Sequence, residues 1–124
     1  MAFPGQTNLD AYLTDTYTLS VHYKDSAGSG VDLDTSTIEM DIRDSEKDPV
    51  SQVIWSTVTG EIAATAGGAL SAGQFTVTVA ASQIERLGTR GDVKRYFYEL
   101  RRKQGAVVDT LISGAFRVYG EPRN

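Results

Sequence analysis

The sequence predicts an all-β protein, an antiparallel β-sandwich of seven or eight short strands with one short helical turn. Three observations predict it. Apolar side chains recur at every second position through most of the chain, the period of a half-buried strand. Val, Ile and Thr supply 30 of the 124 residues, and β-branched side chains favour strands. Turn signals fall at the eight-to-twelve-residue spacing of a sandwich. A small barrel is the second arrangement this pattern allows.

The elements follow in order. Residues 1–15 carry weaker periodicity, with Pro4, Gly5, Asn8 and Asp10, and are expected to form an N-terminal arm. Tyr17, Leu19, Val21 and Tyr23 alternate with Thr18, Ser20 and His22 as a first strand. Asp25 to Gly30 is a turn, because Asp bonds its own backbone locally and Gly accepts positive φ. Val31 and Leu33 make a short apolar step, and Asp34-Thr35-Ser36 turns again. Ile38, Met40 and Ile42 alternate with Glu39, Asp41 and Arg43 as a second strand. Asp44 to Pro49 is a polar loop, since Pro cannot sit in a central strand.

Val50 to Val58 forms the third strand and carries the only Trp, Trp55. Thr59-Gly60 turns the chain, and Ile62 to Thr65 is a short fourth strand ended by Gly67-Gly68. Phe75, Val77 and Val79 mark the next strand. Ala80, Ile84 and Leu87 recur at helical spacing before Gly88, which predicts one or two helical turns. Tyr96, Tyr98 and Leu100 share one face of a strand over 93–102. Lys103-Gln104-Gly105 is a hairpin turn, and Val107 to Val118 returns with room for a kink at Gly114. The sandwich is expected over 16–120, with 121–124 as a polar tail.

This length suits one domain, and a chain of this size buries roughly two-thirds of its unfolded surface, enough for a core. The absence of Cys excludes disulfides, thiol chemistry and thiolate metal sites, and a single His, His22, excludes clusters of His ligands. No run of about 20 apolar residues is present to span a membrane as a helix. The start of the chain lacks the basic and apolar pattern of a signal peptide, so a soluble, cytoplasmically made protein is expected. The net charge of −4 conceals an asymmetry. Residues 1–62 hold three basic and eleven acidic side chains, and residues 63–124 hold nine basic and five acidic. Such a split marks either two faces for different partners or strands that intermingle and cancel it.

Chemistry finds little footing. His22 is the only imidazole and sits on the polar side of its strand, and no Gly-x-Ser-x-Gly elbow exists, so no catalytic residue is assigned. Gly28-Ser29-Gly30 lacks the third glycine and the following helix of a phosphate loop, and no cofactor is expected. Asp32 and Asp34 lack the further ligands of a calcium loop, so no metal is assigned. Arg90-Gly91-Asp92 spells an integrin-type tripeptide but serves here as a turn. Arg86, Arg90, Lys94, Arg95, Arg101, Arg102 and Lys103 fall within 18 residues, interleaved with aromatics. Nucleic-acid binding is disfavoured, because the acidic total opposes phosphate approach and Tyr96 and Tyr98 share the Leu100 face. An intersubunit contact with an acidic face fits this run better.

The order of segments resembles a known family. The segments are Tyr17-Thr-Leu-Ser-Val-His-Tyr-Lys-Asp-Ser-Ala-Gly28, Val31-Asp-Leu33, Ile38-Glu-Met-Asp-Ile-Arg43, Gly73-Gln-Phe-Thr-Val-Thr-Val79 and the helical turn Ala81 to Leu87. Tyr96-Phe-Tyr-Glu-Leu100 and Asp109-Thr-Leu-Ile-Ser-Gly-Ala-Phe-Arg-Val118 complete the series. Over residues 16–119 this is similar to the immunoglobulin-like β-sandwich domain of tailed-bacteriophage structural proteins, the type at the N-terminus of baseplate upper proteins. The chain departs from that pattern at the basic stretch Arg90 to Arg95, and it stops just after the domain, where baseplate upper proteins continue into a stalk.

The resemblance implies a non-enzymatic virion structural protein, a connector or adaptor docking tail, baseplate or fibre components. It implies other phage virion proteins as partners, self-association within the virion, and a location in the virion after synthesis in the bacterial host. Neither nucleic acid nor membrane is expected as a partner. Phe3, Leu9 and Tyr12 of the arm and Arg86, Arg90, Lys94, Arg95, Arg101, Arg102 and Lys103 of the basic segment are the expected contact residues. Two alternatives stand beside this: a capsid-surface decoration or head-fibre protein, and a carbohydrate-binding sandwich, for which Trp55 is the aromatic to test.

Overall fold

The structure is a computed structural model that describes residues 5–88 and 91–120. In chain order the strands are β1 (Gly5–Gln6), β2 (Leu9–Tyr12), β3 (Tyr17–His22), β4 (Thr37–Arg43), β5 (Ser51–Ser56), β6 (Ile62–Ala64), β7 (Gln74–Val79), β8 (Val93–Gln104) and β9 (Val107–Tyr119). A 3₁₀ turn covers Leu70–Ala72, and the helical turn α1 covers Ala81–Glu85. One sheet runs β9-β8-β4-β5, with β1 and β2 one after the other along the outer edge of β9. The other runs β3-β7-β6. This is the strand order of an immunoglobulin-type sandwich. The seven strands β3 to β9 fall where the alternation places them, and α1 occupies the predicted helical turn.

The inward residues pack as the period-two pattern requires. Ile38, Met40 and Ile42 of β4, Tyr98 and Leu100 of β8, and Phe75, Val77 and Val79 of β7 are all fully buried. Leu33 is also fully buried, although the segment carrying it forms no strand. Phe116 on β9 joins the two sheets. Its ring stands edge-on to Tyr17 of β3 at 5.3 Å and to Trp55 of β5 at 5.8 Å. The expected kink at Gly114 is displaced: the register slips between Leu100 and Arg101, leaving Leu111 as the extra residue. That bulge buries Leu111 while Ile112 still packs against the core.

The loop between β7 and β8 has the closure characteristic of this fold. Tyr96 is buried and donates its hydroxyl back to the Leu87 carbonyl, the arrangement called a tyrosine corner. Tyr98, two residues on, occupies the place where immunoglobulin domains carry the second cysteine of their disulfide. Here a phenol fills it, and burial pushes its pKa up to about 12.

The N-terminal segment corrects the expectation of a free arm. Leu9 to Tyr12 pairs in parallel with Phe116 to Tyr119, and Gly5-Gln6 pairs with Ile112-Ser113. Ala11 is buried, Leu9 packs on the core, and the Tyr12 ring stacks on Tyr119 at 5.2 Å. The bend between β1 and β2 is pinned from three sides. The Tyr98 hydroxyl donates to the Thr7 carbonyl at 2.7 Å, and the Ala115 N–H donates to the Asn8 side chain at 3.2 Å. A Cβ added at Gly114 would lie 2.3 Å from the Thr7 oxygen, so only glycine admits this approach. Tyr98→Phe is expected to cost about 1 kcal/mol and to speed proteolytic cleavage near Thr7. Limited proteolysis checks this, and an unchanged cleavage rate would show that the hydroxyl does not hold the segment.

A carboxylate ties the β5–β6 turn to α1. Glu61 Oε2 accepts from Gln83 Nε2 at 3.0 Å, and Oε1 accepts from the Thr59 hydroxyl and from the Ser56 N–H at 3.4 Å. Burial pushes the Glu61 pKa up, but these hydrogen bonds outweigh it and leave the pKa below its ordinary value. A depressed acid stabilises the fold above its unfolded-state pKa and loses that contribution as the pH falls through the folded value. The melting-temperature gap between wild type and Glu61→Gln is therefore largest near neutrality and narrows below about pH 4. Thermal melts across that range read it, and a constant gap would count against the linkage.

Candidate functional site

The candidate surface is the outer face of the β9-β8-β4-β5 sheet with its free β5 edge. Alternation decides which side chains reach that face. Tyr96, Tyr98 and Leu100 turn inward, so Arg95, Phe97, Glu99, Arg101 and Lys103 turn outward. On β4 the same rule puts Glu39, Asp41 and Arg43 outside. The two strands pair with Glu39 opposite Arg101, Asp41 opposite Glu99 and Arg43 opposite Phe97.

The basic segment is thereby divided. Arg101 Nη2 lies 3.2 Å from Asp41 and 3.5 Å from Glu39, and Lys103 Nζ lies 3.4 Å from Glu39. Arg102, of inward parity near the end of β8, pairs with Asp109 at 2.7 Å. These three cations are paired within their own sheet, so they differ from the exposed cations of the same run that have no such partner among the described residues. The acidic first half and the basic second half meet across β4 and β8 inside one molecule. Arg86, Lys94 and Arg95 are exposed, with no ion pair among the described residues. Phe3 and Arg90 lie outside the described residues. Leu9 and Tyr12 are half-buried parts of the sheet rather than arm contacts.

Asp41 is the centre of the network. It is 1% exposed although it stands on the outer face. Its Oδ2 accepts from Arg43 Nε at 2.9 Å and lies 2.8 Å from Arg43 Nη2. The two guanidiniums of Arg43 and Arg101 cover it.

Beside this network lies a groove of about 650 Å³. Its floor is Phe97 with Ala115, which pair directly across β8 and β9. Ala115, directly across β9 from the half-buried Phe97, and Ser113 beside it are small, while Arg117 on β9 and Arg43 on β4 flank the ring on the same face. One wall is the Thr7-Asn8 bend, fixed by Thr7 N–H to Ser113 O at 3.0 Å. The other is the β4–β5 loop at Asp44, Ser45 and Glu46, and Arg95 stands at the rim. Sequence reasoning grouped Phe97 with a basic run. The outward parity that follows from Tyr96 and Tyr98 is the signal that separates it.

The β5 edge is the second feature. Thr57 N–H donates to Ile38 O at 3.0 Å, and hydrogen-bonded pairs alternate along an antiparallel ladder. Trp55 and Val53 therefore direct their backbone groups to β4, while Ile54 directs its own to the open edge, and at Gln52 the register slips as a bulge. The strand Ser51–Ser56 contains no charged residue and no Pro, and of the devices that hinder strand addition it carries one, the bulge at Gln52. Val50, Ile54 and Val58 are exposed along it.

No protein-family model matches this chain, and no curated protein matches it. Trp55 corrects one alternative. It is 1% exposed and packed on Phe116, so it cannot be a stacking platform for a sugar. His22 is exposed and bonds the Ala72 carbonyl through Nε2 at 3.1 Å. Asp32 accepts the Asp34 N–H at 2.9 Å, a local turn bond. No group of three or more His, Cys, Asp or Glu side chains able to hold a metal occurs among the described residues. Among them, no helix is long and apolar enough to cross a membrane.

Proposed function

We propose that the chain is a non-enzymatic structural protein of a tailed-phage virion, a connector that docks tail, baseplate or fibre components through protein–protein contacts. The observation that carries this reading is the open β5 edge. Its uncharged strand turns the backbone groups of Ile54 to the open edge beside the Gln52 bulge, and an extended segment of a partner can pair there as an added strand. The resemblance of residues 16–119 to phage immunoglobulin-like domains supports the same reading. Exposed Arg86, Lys94 and Arg95 supply a second, charged contact region at the opposite end of β8 from the hairpin. In this reading the partners are other virion proteins, and several copies of the chain sit in one particle.

Mass spectrometry of purified particles from the phage encoding this chain tests the proposal. The chain is expected in a fixed ratio to the major tail or head proteins, and its absence from intact particles would overturn the proposal. Ile54→Lys adds a charge at the free edge without touching the core. It is expected to fold normally and to be excluded from particles, and normal incorporation would remove the β5 edge from the docking surface.

A further inference from the structure

We propose that the groove over Phe97 is a saccharide-binding site. The inference goes beyond the connector reading and does not depend on it. The groove's volume falls within the range of small-ligand sites. Its chemistry then selects the class of ligand.

The floor carries an aromatic side chain in an otherwise mostly polar lining. Phe97 faces away from the core and is half-buried, with the small Ala115 and Ser113 beside it on the groove side of β9. An aromatic face of this kind stacks against the C–H face of a pyranose ring. The rim is polar and mixed in sign. Among the described residues Arg95 has no hydrogen bond or ion pair, and Asn8 uses its Oδ1 on Ala115 while its amide N–H groups have no partner. Asp44 accepts from Gln52 Nε2 at 3.0 Å on one oxygen, the other has no hydrogen bond among the described residues, and Glu46 is exposed beside it. The Ser113 hydroxyl adds a group that both donates and accepts.

A sugar hydroxyl both donates and accepts, so a rim holding donors and acceptors together suits it. The alternatives fit less well. A phosphate or nucleic-acid strand would meet Asp44 and Glu46, whose charges repel it. An apolar ligand would strand the Asn8 amide and the carboxylates without partners, a costly desolvation. The walls are preorganised, because Gly114 and the Asn8 side chain hold the Thr7-Asn8 bend against β9.

The test is a titration of the isotope-labelled full chain, followed by amide chemical shifts. The probes are chitobiose, maltose and cellobiose, with inorganic phosphate as the anion control. At least one disaccharide is expected to shift the amides of Asn8, Arg95 and Ser113 with Kd of about 1 mM. Phe97→Ala is expected to weaken binding at least tenfold while keeping a folded spectrum, since its ring lies outside the core. Ser113→Tyr keeps Phe97, fills the groove and is expected to abolish binding. The proposal is overturned if no disaccharide shifts these amides, if Phe97→Ala binds as wild type does, or if phosphate alone produces the shifts.

Discussion

Phe116→Ala is expected to lower the unfolding free energy by about 3–5 kcal/mol, the range for truncating a fully buried aromatic ring. Phe116 is completely buried and is the one ring in edge contact with both Tyr17 and Trp55 among the described residues. Tyr17 belongs to the β3-β7-β6 sheet, while Trp55 and Phe116 belong to the other. The substitution therefore opens a cavity between the two sheets instead of at the rim of one. It also removes two aromatic pairs, each worth about 0.5–1.5 kcal/mol beyond their buried area. Domains of this kind are stable by only about 5–15 kcal/mol, so the loss is a large share of the total. Trp55 is the single tryptophan and touches the ring, so its fluorescence during urea unfolding reports directly on the site. Phe116→Leu refills most of the volume and is expected to recover well over half of the loss. A cost below 1 kcal/mol for the alanine variant would show that the sheets do not depend on this ring.

The same ring illustrates what the sequence makes legible. Alternation along Val107 to Val118 places Phe116 and Val118 on one face, and both are buried. The period-two signal succeeds wherever a strand has one wet face and one dry face, as in β3, β4, β7 and β8. It fails on the N-terminal segment, because β2 has only four residues and its partner is about a hundred positions away. Nothing local distinguishes Leu9-Asp10-Ala11-Tyr12 from a loop. The parallel pairing is set by the bend at Thr7 and by Gly114, which is a tertiary fact. The charge asymmetry is legible as a number but not as a location. Glu39 and Asp41 alternate along one strand, and Arg101 and Lys103 along another. Only the β4–β8 neighbourhood, a non-consecutive pairing, turns two opposed halves into one neutral face. The groove needs both kinds of information. The outward parity of Phe97 follows from Tyr96 and Tyr98, whereas its walls come from loops that converge only in the folded chain.

That neutral face makes the second large prediction. Arg43→Met with Arg101→Met is expected to cost about 3–5 kcal/mol, because it leaves the Asp41 carboxylate buried without a cation. Methionine keeps much of each arginine's apolar stem, so lost packing contributes little to the cost. Asp41 is 1% exposed, whereas the Arg43 and Arg101 side chains are 22% and 18% exposed. The anion is thus the deeply buried member, and the two guanidiniums separate it from water. An exposed pair would contribute at most about 1 kcal/mol, which is why burial decides the size of the effect. Asp41 stands directly opposite Ile54 on β5. Adding Asp41→Leu to the double variant therefore replaces the stranded charge with a side chain that packs on Ile54. Most of the lost stability is expected to return, since a buried ion network exchanges for apolar groups at little net cost. Urea midpoints of the double and triple variants read the two steps. If the double variant loses less than 1 kcal/mol, or the triple variant recovers nothing, the acidic and basic halves of the chain are not coupled through Asp41.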